Sequence, residues 1–362
     1  MIRRKGISFS AVILIAVSVW LISYSLLMPQ RTIETVRTAL QVFVQSILPL
    51  LAVFSVCTKI LVKTDAFGRL IGVRAALLFQ SLGMSVRGFS VFLISLFAGF
   101  PTGAMLLSEL CEKGEISVRE AESLLPFCNQ ASVAFLFGTV GSHILKDPRM
   151  GFVFFFAQTT AALVCVCLTA RERHGCEHGA KTRNHTDISV VSAFTVSVRE
   201  TAFSMIGVCG FVVFFSLVGT VFNDTLSALG LSSGKLFCAM IGGGLEISSG
   251  FILLSEGTFS MTVLLICGGA LVGFGGISVF MQAIERTEPF FFAPMKYFEG
   301  KVMESVLCSI FSVLFFFLYE RKSGKYFIVM TSILIFCIFY LLNYVKLKFF
   351  SKKCGKIERN AV

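Results

Sequence analysis

Glu246 is the residue in this sequence whose type and setting point most directly to chemistry. It stands in Gly242-Gly243-Gly244-Leu245-Glu246-Ile247-Ser248-Ser249-Gly250, where a carboxylate, hydroxyls and glycines interrupt an apolar run. A charged side chain near the middle of a bilayer costs about 2.5–3.5 kcal/mol, so it faces a cavity or a partner. Two readings follow. The carboxylate couples a proton or cation, or hydrogen-bonds a substrate, with Ser248 and Ser249 beside it; or it pins an unwound loop to another helix. An earlier stretch, Gly99-Phe100-Pro101-Thr102-Gly103-Ala104, breaks an apolar run in the same way. Pro101 lacks an N–H and crowds the preceding turn, and glycine weakens a helix on either side. Gly99, Pro101, Gly243, Gly244 and Gly250 are therefore expected to be breaks.

A second pair of polar patches follows each break by about thirty residues. The first is Phe127-Cys128-Asn129-Gln130-Ala131-Ser132; the second is Gly273-Phe274-Gly275-Gly276-Ile277-Ser278 with Gln282 beyond it. Amides offer both donors and acceptors, which suits a carboxylate or a ring nitrogen. Asn129, Gln130, Ser132, Ser278 and Gln282 are thus candidate substrate ligands, with Gly275 and Gly276 as helix breaks. The competing reading is ordinary hydrogen bonding between helices, worth under about 1–2 kcal/mol. Half-helices starting near Thr102-Gly103 and Ser248-Ser249-Gly250 would aim N–H groups and partial positive charge at a cavity, favouring an anionic or strongly polar solute.

Other polar groups carry less. Arg199-Glu200 reads as an interfacial pair. His174, Cys176, His178 and His185 sit in a polar loop, and neither a metal nor a cofactor is expected. No His-Glu-x-x-His, Gly-x-Ser-x-Gly or kinase signature occurs, so no enzymatic activity is expected. The twelve cysteines form no Cys-x-x-Cys pair.

These residues must be held by membrane helices. The chain is 55% hydrophobic and 15% charged over 362 residues, with mean hydropathy +0.83, whereas soluble domains are about 25% charged. The net charge of +11 reflects Lys and Arg in loops rather than a nucleic-acid-binding face. The expected class is an all-α polytopic membrane protein with about eight transmembrane helices, near 8–28, 38–62, 123–142, 150–170, 193–222, 259–284, 302–320 and 326–345. Two re-entrant helical hairpins are expected near 88–108 and 236–256. Basic residues favour segments 1–7, 64–87, 109–122, 171–187, 285–301 and 346 onward over 29–38, 143–149, 223–235 and 321–325, which predicts both termini on the cytoplasmic side. Residues 64–87 read as an amphipathic interfacial helix. Ser117 and Glu120 have capping-box spacing.

The organisation expected is a first helix and linker (1–37), a first repeat (38–170), a cytoplasmic polar loop (171–192), a second repeat (193–320), and a last helix with a basic tail (321–362). Each repeat has three full crossings, so the second is inverted relative to the first. Paired helix breaks in two inverted halves are the pattern of a secondary transporter with a midplane site. An oligomer is compatible with the pattern.

The ordered run Gly99–Ala104, Glu112-Lys113-Gly114-Glu115-Ile116-Ser117, Glu120-Ala121-Glu122, Phe127–Ser132 and Phe137-Gly138-Thr139-Val140-Gly141 resembles one family, as do Gly244-Leu245-Glu246-Ile247 and Gly275–Gln282. It is the sporulation integral membrane proteins with a nucleoside-recognition (Gate) domain, similar more distantly to concentrative nucleoside transporters. Val133 stands where that family often has proline. The resemblance implies a permease of an endospore-forming bacterium, in the outer forespore membrane, with a small anion or nucleoside-like substrate and a coupling proton or cation. The substrate implied first is dipicolinate. Beside that dianion, Glu246 must carry a proton or face a cation.

Overall fold

A computed structural model describes residues 9–64, 84–169, 189–231, 234–287 and 293–321. Every regular element among them is helical. The expected amphipathic helix of 64–87, the loop of 171–192 with its histidines, and the last helix and tail fall largely or wholly outside the described residues.

Helix α1 (Phe9–Leu27) is followed after Met28 by α2 (Pro29–Val42), a π-helical turn (Phe43–Ile47) and α3 (Leu48–Lys63). Residues 29–38, expected as a loop, are therefore helical. Pro29 suits the first turn, where its missing N–H has no intrahelical role. The polar residues that suggested a loop instead face a neighbouring helix.

Helices α4 (Val86–Ala98) and α5 (Thr102–Glu112) flank the first break. Gly99 sits at φ +74°, and the Phe100–Pro101 peptide is cis. Helix α6 (Val118–Cys128) starts at Ser117, whose hydroxyl accepts the Glu120 N–H at 3.2 Å. Glu120 does not close the expected capping box. Its carboxylate accepts the Ser85 N–H at 2.7 Å and so fastens the start of α4. Helix α6 ends at Asn129, and a π-helix (Phe135–Ile144) carries the chain onward. The expected span 123–142 is thus two pieces. Pro126 already lacks a donor, and the Gln130 and Ser132 side chains bond locally, to the Phe127 carbonyl and the Phe135 N–H, in place of the helix ladder.

Helix α7 (Pro148–Leu168) leads to α8 (Val190–Ala228), 39 residues and roughly 58 Å long at 1.5 Å per residue. Helix α8 runs antiparallel to α2 and α3. Asp224 accepts from Tyr24 and from Arg31 (3.3 Å), and Thr35 bonds Thr220 (3.3 Å). Farther along, Ser55 bonds Thr201 (3.4 Å), and at the far end Lys63 bonds Glu200 (3.0 Å). Glu200 therefore pairs across helices and not with its neighbour Arg199.

Helices α9 (Lys235–Leu245) and α10 (Ile247–Glu256) are separated by Glu246 alone. Gly243, Gly244 and Gly250 were expected as breaks, yet all lie inside helices. Gly243 and Gly250 form a packing seam: a Cβ on Gly250 would lie 2.3 Å from the Gly243 Cα. Close backbone approach outweighs the roughly 1 kcal/mol that glycine costs a helix.

Helix α11 (Met261–Phe274) stops at Gly275 and Gly276, both with positive φ, before α12 (Ile277–Thr287). The last described helix, α13 (Pro294–Arg321), starts earlier than the expected 302. Gly269 and Gly273 admit its backbone, since a Cβ at either would lie under 3 Å from Ser309 or Ser305 Cα. Ser305 and Ser309 donate to the Ala270 and Ile266 carbonyls across this seam.

Polar contacts sort the helix termini into two ends. At one end lie Lys63–Glu200, Lys296–Glu122 (3.2 Å) and the Ser108 hydroxyl on the Arg286 carbonyl (2.7 Å). At the other lie Arg31–Asp224 and Arg149–Glu320 (3.2 Å). The open side of α4–α5 faces the first end. Helices α9 and α10 share a recess with Arg31 and Asp224 at the second.

Five described helices are long and apolar enough to cross a membrane: Pro29–Lys63, Pro148–Leu168, Val191–Ala228, Met261–Thr287 and Pro294–Glu320. Helix α1 and the pieces flanking three of the breaks are shorter and apolar. An integral membrane protein follows.

Candidate functional site

The four helix breaks meet at the centre of the molecule. Gly99 lies against Ser132, where a Cβ on the glycine would fall 2.7 Å from the serine Cβ. Gly276 lies against the Gly243 and Leu245 carbonyls, each 3.2 Å from where its Cβ would stand. One cavity of about 20 Å³ touches three breaks, at Gly99 and Phe100, Ser132, and Glu246 to Ser248, and the helix that follows the fourth, at Ser278, Val279 and Gln282. Ile47, Leu51, Phe135, Val208 and Val212 complete its wall. That volume holds about one water. Admitting a ring with two carboxylates requires the walls to part.

Glu246 is 2% exposed and is the one ionisable group lining this cavity among the described residues. It caps α10: its Oε2 accepts the Ser249 N–H at 2.8 Å and the Ser249 hydroxyl at 3.2 Å. A carboxylate at a helix N-terminus satisfies an orphan donor and meets the positive end of the dipole. The α10 terminus is thus already engaged by the chain's own anion. Ser249 passes the contact on, with its hydroxyl 2.8 Å from that of Ser216 on α8.

The other polar lining groups are less fully engaged. Gln282 donates from Nε2 to Ser278 Oγ at 3.3 Å, while Gln282 Oε1 is buried without a hydrogen-bond partner. A buried acceptor left unpaired costs about 1–3 kcal/mol, so this oxygen is the lining atom with most to gain from a polar solute. Ser132 spends its hydroxyl as a cap, accepting the Phe135 N–H at 3.1 Å.

Ser132, Glu246, Ser248, Ser278 and Gln282 therefore share the cavity, and the remaining candidates do not line it. Thr102 is buried at the start of α5. Gly103 packs on the end of α6, where a Cβ would lie 1.6 Å from the Cys128 carbonyl oxygen. Asn129 donates to the Tyr297 hydroxyl (2.8 Å), and Gln130 to the Phe127 carbonyl (2.9 Å). Ser249 faces the recess of Arg31 and Asp224 instead.

Sequence reasoning missed the residues that hold the site in shape. Gln158, fully buried on α7, brackets Ala131 in the first-half break. Its Oε1 accepts the Ala131 N–H (3.2 Å), and its Nε2 donates to the Ala131 carbonyl (2.9 Å). The available signal was a single amide in an apolar helix. Lys301 and Glu304 form a 3.0 Å ion pair inside α13, 2% and 0% exposed. Lys301 closes the segment 285–301, which the charge bias assigns to the cytoplasmic side, yet it is buried. Lys59, 3% exposed, lies 3.8 Å from Glu200.

No family model matches the chain, and no solved structure matches it. A curated relative does: the sporulation integral membrane protein YlbJ of Bacillus subtilis (strain 168) is 25% identical over 331 residues, covering 79% of this chain and 78% of the relative. The chain is similar to a sporulation membrane protein. That likeness runs through most of both chains, and with the apolar helices it supports a sporulation membrane protein family.

Proposed function

We propose that the protein is a secondary transporter of a small polar or anionic solute, with dipicolinate during sporulation as its first candidate. Access alternates around the cavity between the α4–α5 and α9–α10 hairpins, which belong to two inverted halves. The observation that carries the reading is the convergence of three helix breaks, and of the helix after the fourth, on one cavity lined by Glu246, Ser248, Ser278 and Gln282. Irregular backbone at membrane depth persists only where protein or a wet cavity surrounds it. The hairpins opening to opposite ends fit alternating access by one half moving against the other. Cytoplasmic termini and the outer forespore membrane belong to the same proposal.

The lining favours a second substrate class as well. Its one ionisable group is acidic, and hydroxyl and amide neighbours suit the ribose hydroxyls and base edges of a nucleoside. A dianion needs Glu246 neutralised. Uptake by full-length protein in liposomes, with labelled dipicolinate and uridine compared, tests both. Saturable flux of one, lost in Gln282→Ala, supports the reading. Absence of saturable flux for either refutes these substrate assignments. A non-transporting scaffold predicts no flux and an intact sporulation phenotype in Glu246→Gln.

A further inference from the structure

The closed central cavity and the larger recess at the Arg31–Asp224 end are joined by hydroxyls. The recess measures about 390 Å³ and is lined by Ser216, Ser249, Thr35, Asn223, Arg31 and Asp224, among others. Arg31 is half exposed, so the recess reaches the surface. Ser216 and Ser249 sit on its wall, yet Ser249 also bonds Glu246, which lines the central cavity. The Ser249–Glu246 bond of 3.2 Å therefore crosses the partition, and Ser216, 2.8 Å from Ser249, extends the chain along the recess wall.

We infer that Glu246 exchanges its proton with water in this recess through the Ser249 and Ser216 hydroxyls. A protonated water gives its proton to Ser216 Oγ as the Ser216 O–H proton passes to Ser249 Oγ. The Ser249 O–H proton passes in turn to Glu246 Oε2. The water is left neutral, both serines regain one proton each, and the carboxylate becomes a carboxylic acid. Rotation of the two hydroxyls resets the chain. No other ionisable side chain lines the central cavity from the elements packed on it, among the described residues. In and beside the recess the titratable groups are Arg31, Glu34, Asp224, Cys238 and Tyr24, of which Arg31 and Tyr24 bond Asp224. The path deepens the transport reading by naming a proton as coupling ion and one end as its source, and as coupling it rests on that reading.

The test reads the proton directly. Full-length protein in liposomes is given a laser-triggered acid jump, and the carboxylic C=O infrared band is followed in time, assigned by its loss in Glu246→Gln. Ser249→Ala is expected to slow the rise of that band at least tenfold while keeping its final amplitude, and Ser216→Ala to slow it less, because Ser249 also meets the recess. Ser249→Thr and Ser216→Thr, which keep the hydroxyl, are expected to restore the rate. Unchanged rates in both alanine variants overturn the path, as does a Glu246 band absent at every pH. Either failure leaves solute uptake to be judged on its own. Failed uptake with an intact relay removes the coupling role but not the path.

Discussion

Replacing Gln158 with leucine isolates what the bracket on Ala131 contributes. Leucine approximates the glutamine volume, so the cavity left behind is small and the change is mainly electrostatic. Two buried backbone groups, the Ala131 N–H and C=O, lose the partners they have at 3.2 and 2.9 Å. At about 1–3 kcal/mol for each buried group left unpaired, the loss is roughly 2–6 kcal/mol. Hydrogen bonds between membrane helices average nearer 0.6 kcal/mol, because the unfolded chain in lipid also finds partners. Two such bonds set a lower bound of about 1.2 kcal/mol. Backbone at a helix break has fewer alternatives than a side chain, so Gln158→Leu is expected to destabilise by about 2–4 kcal/mol. Detergent-denaturant unfolding followed by circular dichroism measures it. Thr159→Ala is the control, since Thr159 bonds only back to the Phe155 carbonyl within its own helix, and its loss is expected to stay within about 0.5 kcal/mol. A Gln158→Leu change no larger than that control refutes the role assigned to the bracket.

Gly250→Ala brings a methyl to 2.3 Å from the Gly243 Cα, so it is expected to separate α9 from α10, lowering thermal stability and shifting cross-linking between cysteines placed on the two helices. Removing one partner of the Lys301–Glu304 pair, as in Lys301→Met, is expected to cost about 3–5 kcal/mol, whereas Lys301→Met combined with Glu304→Leu recovers most of it; a double-mutant cycle in unfolding free energy checks the difference. Asp147 caps α7 and holds Arg149 through its side chain and N–H, and these bonds keep its carboxyl below the usual 3.8. Its contribution is therefore complete above pH 3.8 and lost as pH falls through the lowered folded value; Asp147→Asn is expected to flatten that part of the stability–pH curve.

The central feature was legible because membrane physics penalises what the sequence does at Gly99–Gly103 and Gly242–Gly250. A carboxylate and a proline within apolar runs need shelter, and both were found at breaks. The position of the second break was not legible, because glycine serves equally to end a helix and to let two helices touch. Gly243 and Gly250 do the second, and only Glu246 leaves the helix. The site was half readable: Ser278 and Gln282 share a helix face that reaches the cavity, while Asn129 and Gln130 look equally suited but lie outside its lining, their amide N–H groups donating to Tyr297 and a backbone carbonyl. Residues 29–38 misled because polar side chains on a helix packed against polar partners look like a loop. Gln158 stayed hidden because its partner is the backbone of a distant break that no pattern of side chains announces, and the Lys301–Glu304 pair because an i,i+3 charge pair on a helix reads as a solvated face.

The long pairing of α2 and α3 with α8 limits how the molecule moves. Arg31 and Asp224 tie it at one extremity, and Lys63 and Glu200 at the other. Two rods buttoned at both tips resist sliding lengthwise, since any shift strains both clasps in the same stroke. On the proposed transport reading, such a couple acts as the stationary upright of a doorway. The leaves that swing, on that same reading, are the short helix pairs α4–α5 and α9–α10.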